Sequence, residues 1–140
     1  MIKLILCTLL LSSVTSSAQT KGSIAVIDFV KIKNDKRTEA LYFYENNWKV
    51  YRDSALKKKY IISYRLLTTK TDSIANFDII LLTEYSDSLQ LKLSEERFQK
   101  IIKEMRPNGP KLLNDLKPSD FRQNVFTKWS ETLFYSDLKR

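Results

Sequence analysis

Ser23-Ile-Ala-Val-Ile-Asp-Phe-Val-Lys-Ile-Lys33 is the stretch whose reading decides the fold. Its β-branched residues read as a strand. Successive side chains on a strand point to opposite faces. Ile24, Val26, Asp28, Val30 and Ile32 therefore share one face, and Ala25, Ile27, Phe29, Lys31 and Lys33 the other. Both sets are largely apolar, whereas a sheet with one wet face alternates more cleanly. Phe77-Asp-Ile-Ile-Leu-Leu-Thr-Glu-Tyr85 repeats the pattern, again apolar on both faces at its centre.

Between these two strands the period changes. Asn34-Asp35 predicts a turn and a helix N-cap. From Arg37 to about Lys58, Leu41, Tyr44, Trp48, Tyr51 and Ala55 step by three and four, one helical stripe. The Lys57-Lys58-Lys59 run falls where the helix dipole favours positive charge. It reads as a solvated helix end. Tyr60 to Leu67 predicts the second strand, and Thr68 to Asn76 is polar and turn-like. After Tyr85, Leu89-Gln-Leu-Lys-Leu93 alternates and reads as a strand extension or a loop. Ser94 suits an N-cap, with Glu95 and Glu96 in the first turn. Phe98, Ile101, Ile102 and Met105 form the cleanest helical stripe in the chain. Pro107-Asn-Gly-Pro110 stops that helix, Lys111 to Leu116 adds a helical turn, and Asn124 to Phe134 predicts the last strand.

The order is β-α-β-β-α-β, the ferredoxin-like α+β arrangement. Right-handed crossovers place both helices on one face of a four-stranded antiparallel sheet, in the order 4-1-3-2. Two helices leave the second face uncovered, and its composition forms a large apolar patch if left in water. A second copy of the chain, packed sheet to sheet, covers it.

This order, the helix carrying Asn46-Asn-Trp48 and the Phe77–Tyr85 strand resemble the dimeric α/β-barrel superfamily. Its members include antibiotic-biosynthesis monooxygenase-like and NIPSNAP-like domains. The resemblance spans about residues 21–138 and is one of pattern, with no member-specific catalytic signature. It implies a homodimeric α/β barrel with a small cavity between sheet and helices. Some members are cofactor-free oxygenases and some degrade haem, commonly with an axial histidine. This chain has no histidine, so it departs from the haem degraders.

Asn and Trp line the pocket in some oxygenase relatives, which makes Asn47 and Trp48 candidates by resemblance. Neighbouring helical residues diverge by about 100°, so only part of this group can face one pocket. The alternative is that Trp48 is core and the asparagines are solvated. Asp28 and Glu84 interrupt apolar strands. A buried carboxylate is costly unless paired, and burial raises its pKa. Arg65, on the strand beside Glu84, is a partner for it. Either carboxylate reads as a proton-transfer or ligand-orienting group, or as an ion pair at a strand end. Tyr64 offers a phenol to a ligand, or packs half-buried as tyrosines commonly do.

Composition narrows the chemistry. The chain has 140 residues, which predicts one domain, and 43% hydrophobic and 29% charged residues, an ordinary globular balance. With no histidine, Ser-His-Asp and Cys-His catalysis and His-ligated zinc are excluded. No phosphate loop, dinucleotide glycine pattern or metal-spaced carboxylate set appears, and neither cofactor nor metal is expected. At the N-terminus, Met1-Ile-Lys3, the apolar Leu4–Leu11 and Ser16-Ser-Ala18 appear in the order of a secretory signal peptide. Residues 1–18 are therefore expected to be removed, leaving a single domain over 19–140, exported to the periplasm or beyond. The only cysteine, Cys7, leaves with the signal, so no disulfide is expected. The apolar run is too short to span a membrane, which takes about 20 residues. The formal charge of +8 falls to +7 without Lys3, but export argues against nucleic acid as its partner.

Two functions fit: a ligand-binding barrel for a small, partly apolar molecule, with oxygenase chemistry without a cofactor as an extension, or a non-enzymatic structural or protein-interaction domain. A cavity of a few hundred Å3 with unpaired polar groups favours the first. A closed core with every polar group paired favours the second.

Overall fold

The structure is a computed structural model and describes residues 22–133. The expected signal peptide, Cys7 and the end of the last predicted strand lie outside these residues. Four strands form one antiparallel sheet: β1 (Ile24–Ile32), β2 (Ser63–Thr68), β3 (Ile79–Tyr85) and β4 (Arg122–Glu131). Their order is β2-β3-β1-β4, the expected one. The helical elements are α1 (Arg37–Phe43), a π-helical turn over Tyr44–Trp48, α2 (Lys49–Lys57), α3 (Ser88–Lys92), α4 (Ser94–Met105) and α5 (Pro118–Phe121). The chain is an α+β protein with ferredoxin-like topology. Among the described residues no helix is long and apolar enough to cross a membrane.

Register settles which strand face meets the helices. Val30 pairs with Ile79, Asp28 with Leu81 and Val26 with Thr83. Ile79, Leu81, Thr83 and Tyr85 are all buried, so the even residues of β1 and the odd residues of β3 form the inner face. Val30, Ile79 and Leu81 pack against Tyr44 and Trp48 in one core cluster. Tyr51, Ala55, Ile61, Tyr85 and Ile101 make a second. The two helical stripes read from sequence thus face the core, except for Met105 at the end of the second, which is exposed.

The opposite face carries Ile27, Phe29, Ile80, Leu82, Leu67 and Phe126. Phe29 stacks on Phe126 with ring centroids 4.4 Å apart and meets Phe77 edge-on at 4.9 Å. No described helix covers this face, and Leu67 and Phe126 are exposed on it.

Local departures have local causes. Asn34 and Asp35 both take left-handed conformations, so the turn forms. The cap position falls on Lys36, which makes no side-chain cap. Leu89–Leu93 is helix rather than strand or loop, because the Asp87 carboxylate accepts the Gln90 N–H at 2.9 Å and nucleates a turn. The chain reaches Ser94 already helical, so Ser94 opens α4 without capping it. The predicted helical turn at 111–116 does not form; α5 forms at Pro118 instead, with the Lys117 N–H donating to Asp120. Strand β2 starts at Ser63 rather than Tyr60, since Ile61 is drawn into the second core cluster.

Candidate functional site

The π-helical turn has wider hydrogen-bonded rings than an α-helix, and such turns cluster at functional sites. Here it buries Tyr44, Asn47 and Trp48 together. Tyr44 and Trp48 face the sheet, and with it they line a partly open cavity of about 270 Å3. The sheet contributes Asp28, Val30 and Leu81. The helices contribute Phe43, Tyr44, Trp48, Tyr51, Arg52 and Ile102, and β4 contributes Arg122 and Asn124.

Arg122 and Asn124 reach the cavity through a β-bulge. On β4, Phe126 pairs with Phe29, but Asn124 rather than Val125 pairs with Val30. Val125 is the extra residue. Side-chain parity reverses at such a bulge. Upstream of it, Arg122 and Asn124 share the inner face with Val30 and Ile32. Beyond it, Phe126, Lys128 and Ser130 share the outer face with Phe29, Ile27 and Ala25. Without the bulge, Arg122 and Asn124 would point to the outer face.

The electrostatics are unbalanced. The Arg52 guanidinium lies over the Trp48 ring at 4.7 Å and the Phe98 ring at 4.3 Å. Arg52 Nε donates a long 3.4 Å hydrogen bond to Thr83 Oγ1. Burial lowers it to about 10, opposed by the Tyr85 and Asp28 charges, and it remains protonated at neutral pH. The Arg122 guanidinium lies over Phe43 at 4.7 Å and Tyr44 at 5.7 Å. Among the described residues neither arginine forms an ion pair with a carboxylate. Asp28 accepts a hydrogen bond from Thr127 Oγ1 at 2.6 Å. Burial pushes the Tyr44 phenol up, and the nearby Arg122 charge pulls against it. The two groups approach without the geometry of a hydrogen bond. Tyr44 Oη, Trp48 Nε1 and Arg122 Nε are buried with no hydrogen-bond partner in the protein.

Of the sequence-derived candidates, Asp28 and Trp48 line this cavity. The other four do not. Asn47 turns away from it: Nδ2 donates to Phe43 O at 3.0 Å and Lys111 O at 2.8 Å, and Oδ1 accepts from Lys111 N at 2.7 Å. It fastens the 107–111 connection to the helix and is fully buried. Tyr64 packs edge-on against Trp48 at 5.4 Å and donates to Asp53 at 2.5 Å. It lines a smaller hollow of about 210 Å3 together with Leu41 and Leu66. Glu84 and Arg65 lie on the outer sheet face. Burial pushes Glu84 up, but hydroxyls from Ser23, Ser63 and Thr132, aided by the Arg65 charge, leave it below its ordinary value. The expected rise therefore does not occur, and Arg65 acts on Glu84 at a distance without an ion pair. Sequence reasoning missed Arg52, Arg122 and Asn124.

A larger open groove of about 460 Å3 lies beside Ile24, Leu91 and the exposed Trp129. None of the unpartnered buried polar atoms belongs to its lining. Among the described residues no cluster of acidic side chains could hold a metal ion.

Topology and cavity together define a ferredoxin-like α+β protein with a cation-bearing pocket between sheet and helices. No protein-family model matches the chain, and no curated protein does. Among solved structures it is similar to HapK from Hahella chejuensis, with 11% identity and a TM-score of 0.48, covering 81% of this chain and 96% of that one. It is also similar to a dimeric protein of unknown function with a ferredoxin-like fold from Bacteroides fragilis (14% identity, TM-score 0.45, 81% and 99% covered). A third is a dimeric ferredoxin-like protein from an uncultured marine organism (10% identity, TM-score 0.45, 81% and 95% covered).

Proposed function

We propose that the protein binds a small, partly apolar molecule in the cavity between its sheet and its helices. One observation carries this reading. Of the four buried polar atoms without a protein partner among the described residues, three, Tyr44 Oη, Trp48 Nε1 and Arg122 Nε, belong to residues lining that one cavity; the fourth, Arg106 Nε, does not. Buried polar groups in folded proteins are nearly always satisfied, and each exception calls for a cause. A ligand with acceptor atoms supplies the missing partners for all three. Asp28 is the one carboxylate on the cavity wall. Oxygenase chemistry without a cofactor, if the protein performs it, assigns the base role to Asp28.

The test is a thermal-shift screen of small aromatic and apolar compounds. It is paired with fluorescence of a Trp129→Phe variant, in which Trp48 is the only tryptophan left. Hits should both raise the melting temperature and change Trp48 emission. Stabilising compounds that leave Trp48 emission untouched would locate binding elsewhere.

The reading includes assembly and address. The uncovered outer face, apolar at its centre with Arg65, Glu84 and Lys128 around it, has the composition of an interface. A second copy packed on it makes the homodimeric α/β barrel of the superfamily that the sequence resembles. Export of the chain, with cleavage after Ala18, completes the picture. Mass spectrometry of the native protein then finds Gln19 first, and retention of Met1 contradicts it.

A further inference from the structure

The cavity already described carries the furthest inference, because its charges do not cancel. Arg52 and Arg122 line it, and Asp28 is the one opposing charge on its wall. The sum is one unpaired positive charge. A desolvated cation without a counter-ion is costly, and natural sites keep one where it meets an opposite charge. Aromatic rings hold both guanidiniums in place: Trp48 and Phe98 for Arg52, Phe43 and Tyr44 for Arg122. The bulge at Val125 brings the second arginine to the cavity. At about 270 Å3 the cavity lies just below the roughly 300–1,000 Å3 typical of drug-sized sites, which limits the ligand to about one ring system.

We infer that the cavity takes a small aromatic monoanion, a carboxylate or phenolate. Its ring lies among Tyr44, Trp48 and Tyr51, and its charge meets the guanidiniums of Arg52 and Arg122. This rests on the ligand-binding reading above and adds the chemical class. Asp28 repels a second negative charge, so dianions of the same size bind more weakly. Guanidinium recognises carboxylate through charge-assisted hydrogen bonds, about twice as strong as neutral ones.

The experiment uses matched pairs on the Trp129→Phe protein: benzoate against benzamide, and indole-3-carboxylate against its amide, read by Trp48 emission and by calorimetry. The expected result is that each carboxylate binds at least about tenfold more tightly than its amide, one charge-assisted contact's worth. Arg52→Gln and Arg122→Gln should each shrink that preference to about threefold or less. Both variants should stay folded, because each removes a charge that has no carboxylate partner. Arg52→Lys, which keeps the charge, should retain part of the preference and guards against a misfolded Arg52→Gln. Amides that bind as well as carboxylates overturn the charge assignment and leave the cavity reading standing. If neither member of any pair reaches Trp48 at millimolar concentration, both readings fall.

Discussion

Asn47→Ala should lower the unfolding free energy by about 3 kcal/mol, among the largest single-residue effects in the chain. The Asn47 amide is fully buried and makes three hydrogen bonds, two of them to the Lys111 backbone. Truncation removes the partners of the Lys111 N–H and C=O at once. Lys111 lies at the surface, where water replaces part of the loss, but the three hydrogen bonds lost at the buried Asn47 amide are worth about 1 kcal/mol each. Asn47→Asp should be at least as damaging, since a carboxylate cannot donate to the Phe43 and Lys111 carbonyls. Urea denaturation at one fixed protein concentration measures both. A loss under about 0.5 kcal/mol would show that the connection is held some other way. Because Asn47 does not line the cavity, its variants should bind benzoate as the parent does wherever they are folded.

Ile80→Asp should convert a dimer into a folded monomer. Ile80 sits at the centre of the outer face, paired with Phe29 on one side and Leu67 on the other. In a lone subunit an aspartate there meets water and costs little. Against a second copy it buries an unpaired charge from each side of the twofold. Ile27→Asp, on the same face, should behave alike. Leu81→Asp is the contrast: Leu81 is buried under the helices, so that change should unfold the chain. Sedimentation at micromolar concentration separates the cases, with circular dichroism to report folding. An interface of this kind should bury more than about 2,000 Å2 in total. A parent protein that sediments as one well-folded subunit removes the dimer from the account.

Much of this was legible in the sequence, and the reasons are specific. The Leu41–Ala55 and Phe98–Met105 stripes follow helical geometry, and the β1 and β3 strands follow a period of two, so element order and sheet topology came out directly. The parity of those strands did not, because Ile27 and Val26 are equally apolar and only the pairing register separates them. Trp48 was a candidate by resemblance and Asp28 by its intrusion into an apolar strand, and the structure puts both on the cavity wall. Asn47 was misplaced because a π-turn and a later connection decide where its amide points. Arg52 stands beside Tyr51 on the helix and carries no sign that sets it apart from a solvated arginine. Arg122 and Asn124 share parity with Phe126, so alternation sends them to the outer face; only the extra residue Val125 brings them inside. Arg122 and Asn124 were therefore hidden in a backbone irregularity that pattern alone does not reveal.

The central claim is that the space between sheet and helices is a binding site for a small molecule. The measurement that meets it most directly is a high-resolution crystal structure of the protein grown with benzoate. The account predicts density for the ring against Trp48, with the carboxylate about 3 Å from the Arg52 or Arg122 guanidinium, at charge-assisted hydrogen-bond distance. Benzoate seated only in the groove beside Trp129, or a cavity closed by Tyr44 and Trp48 with every polar group paired inside the protein, would contradict it.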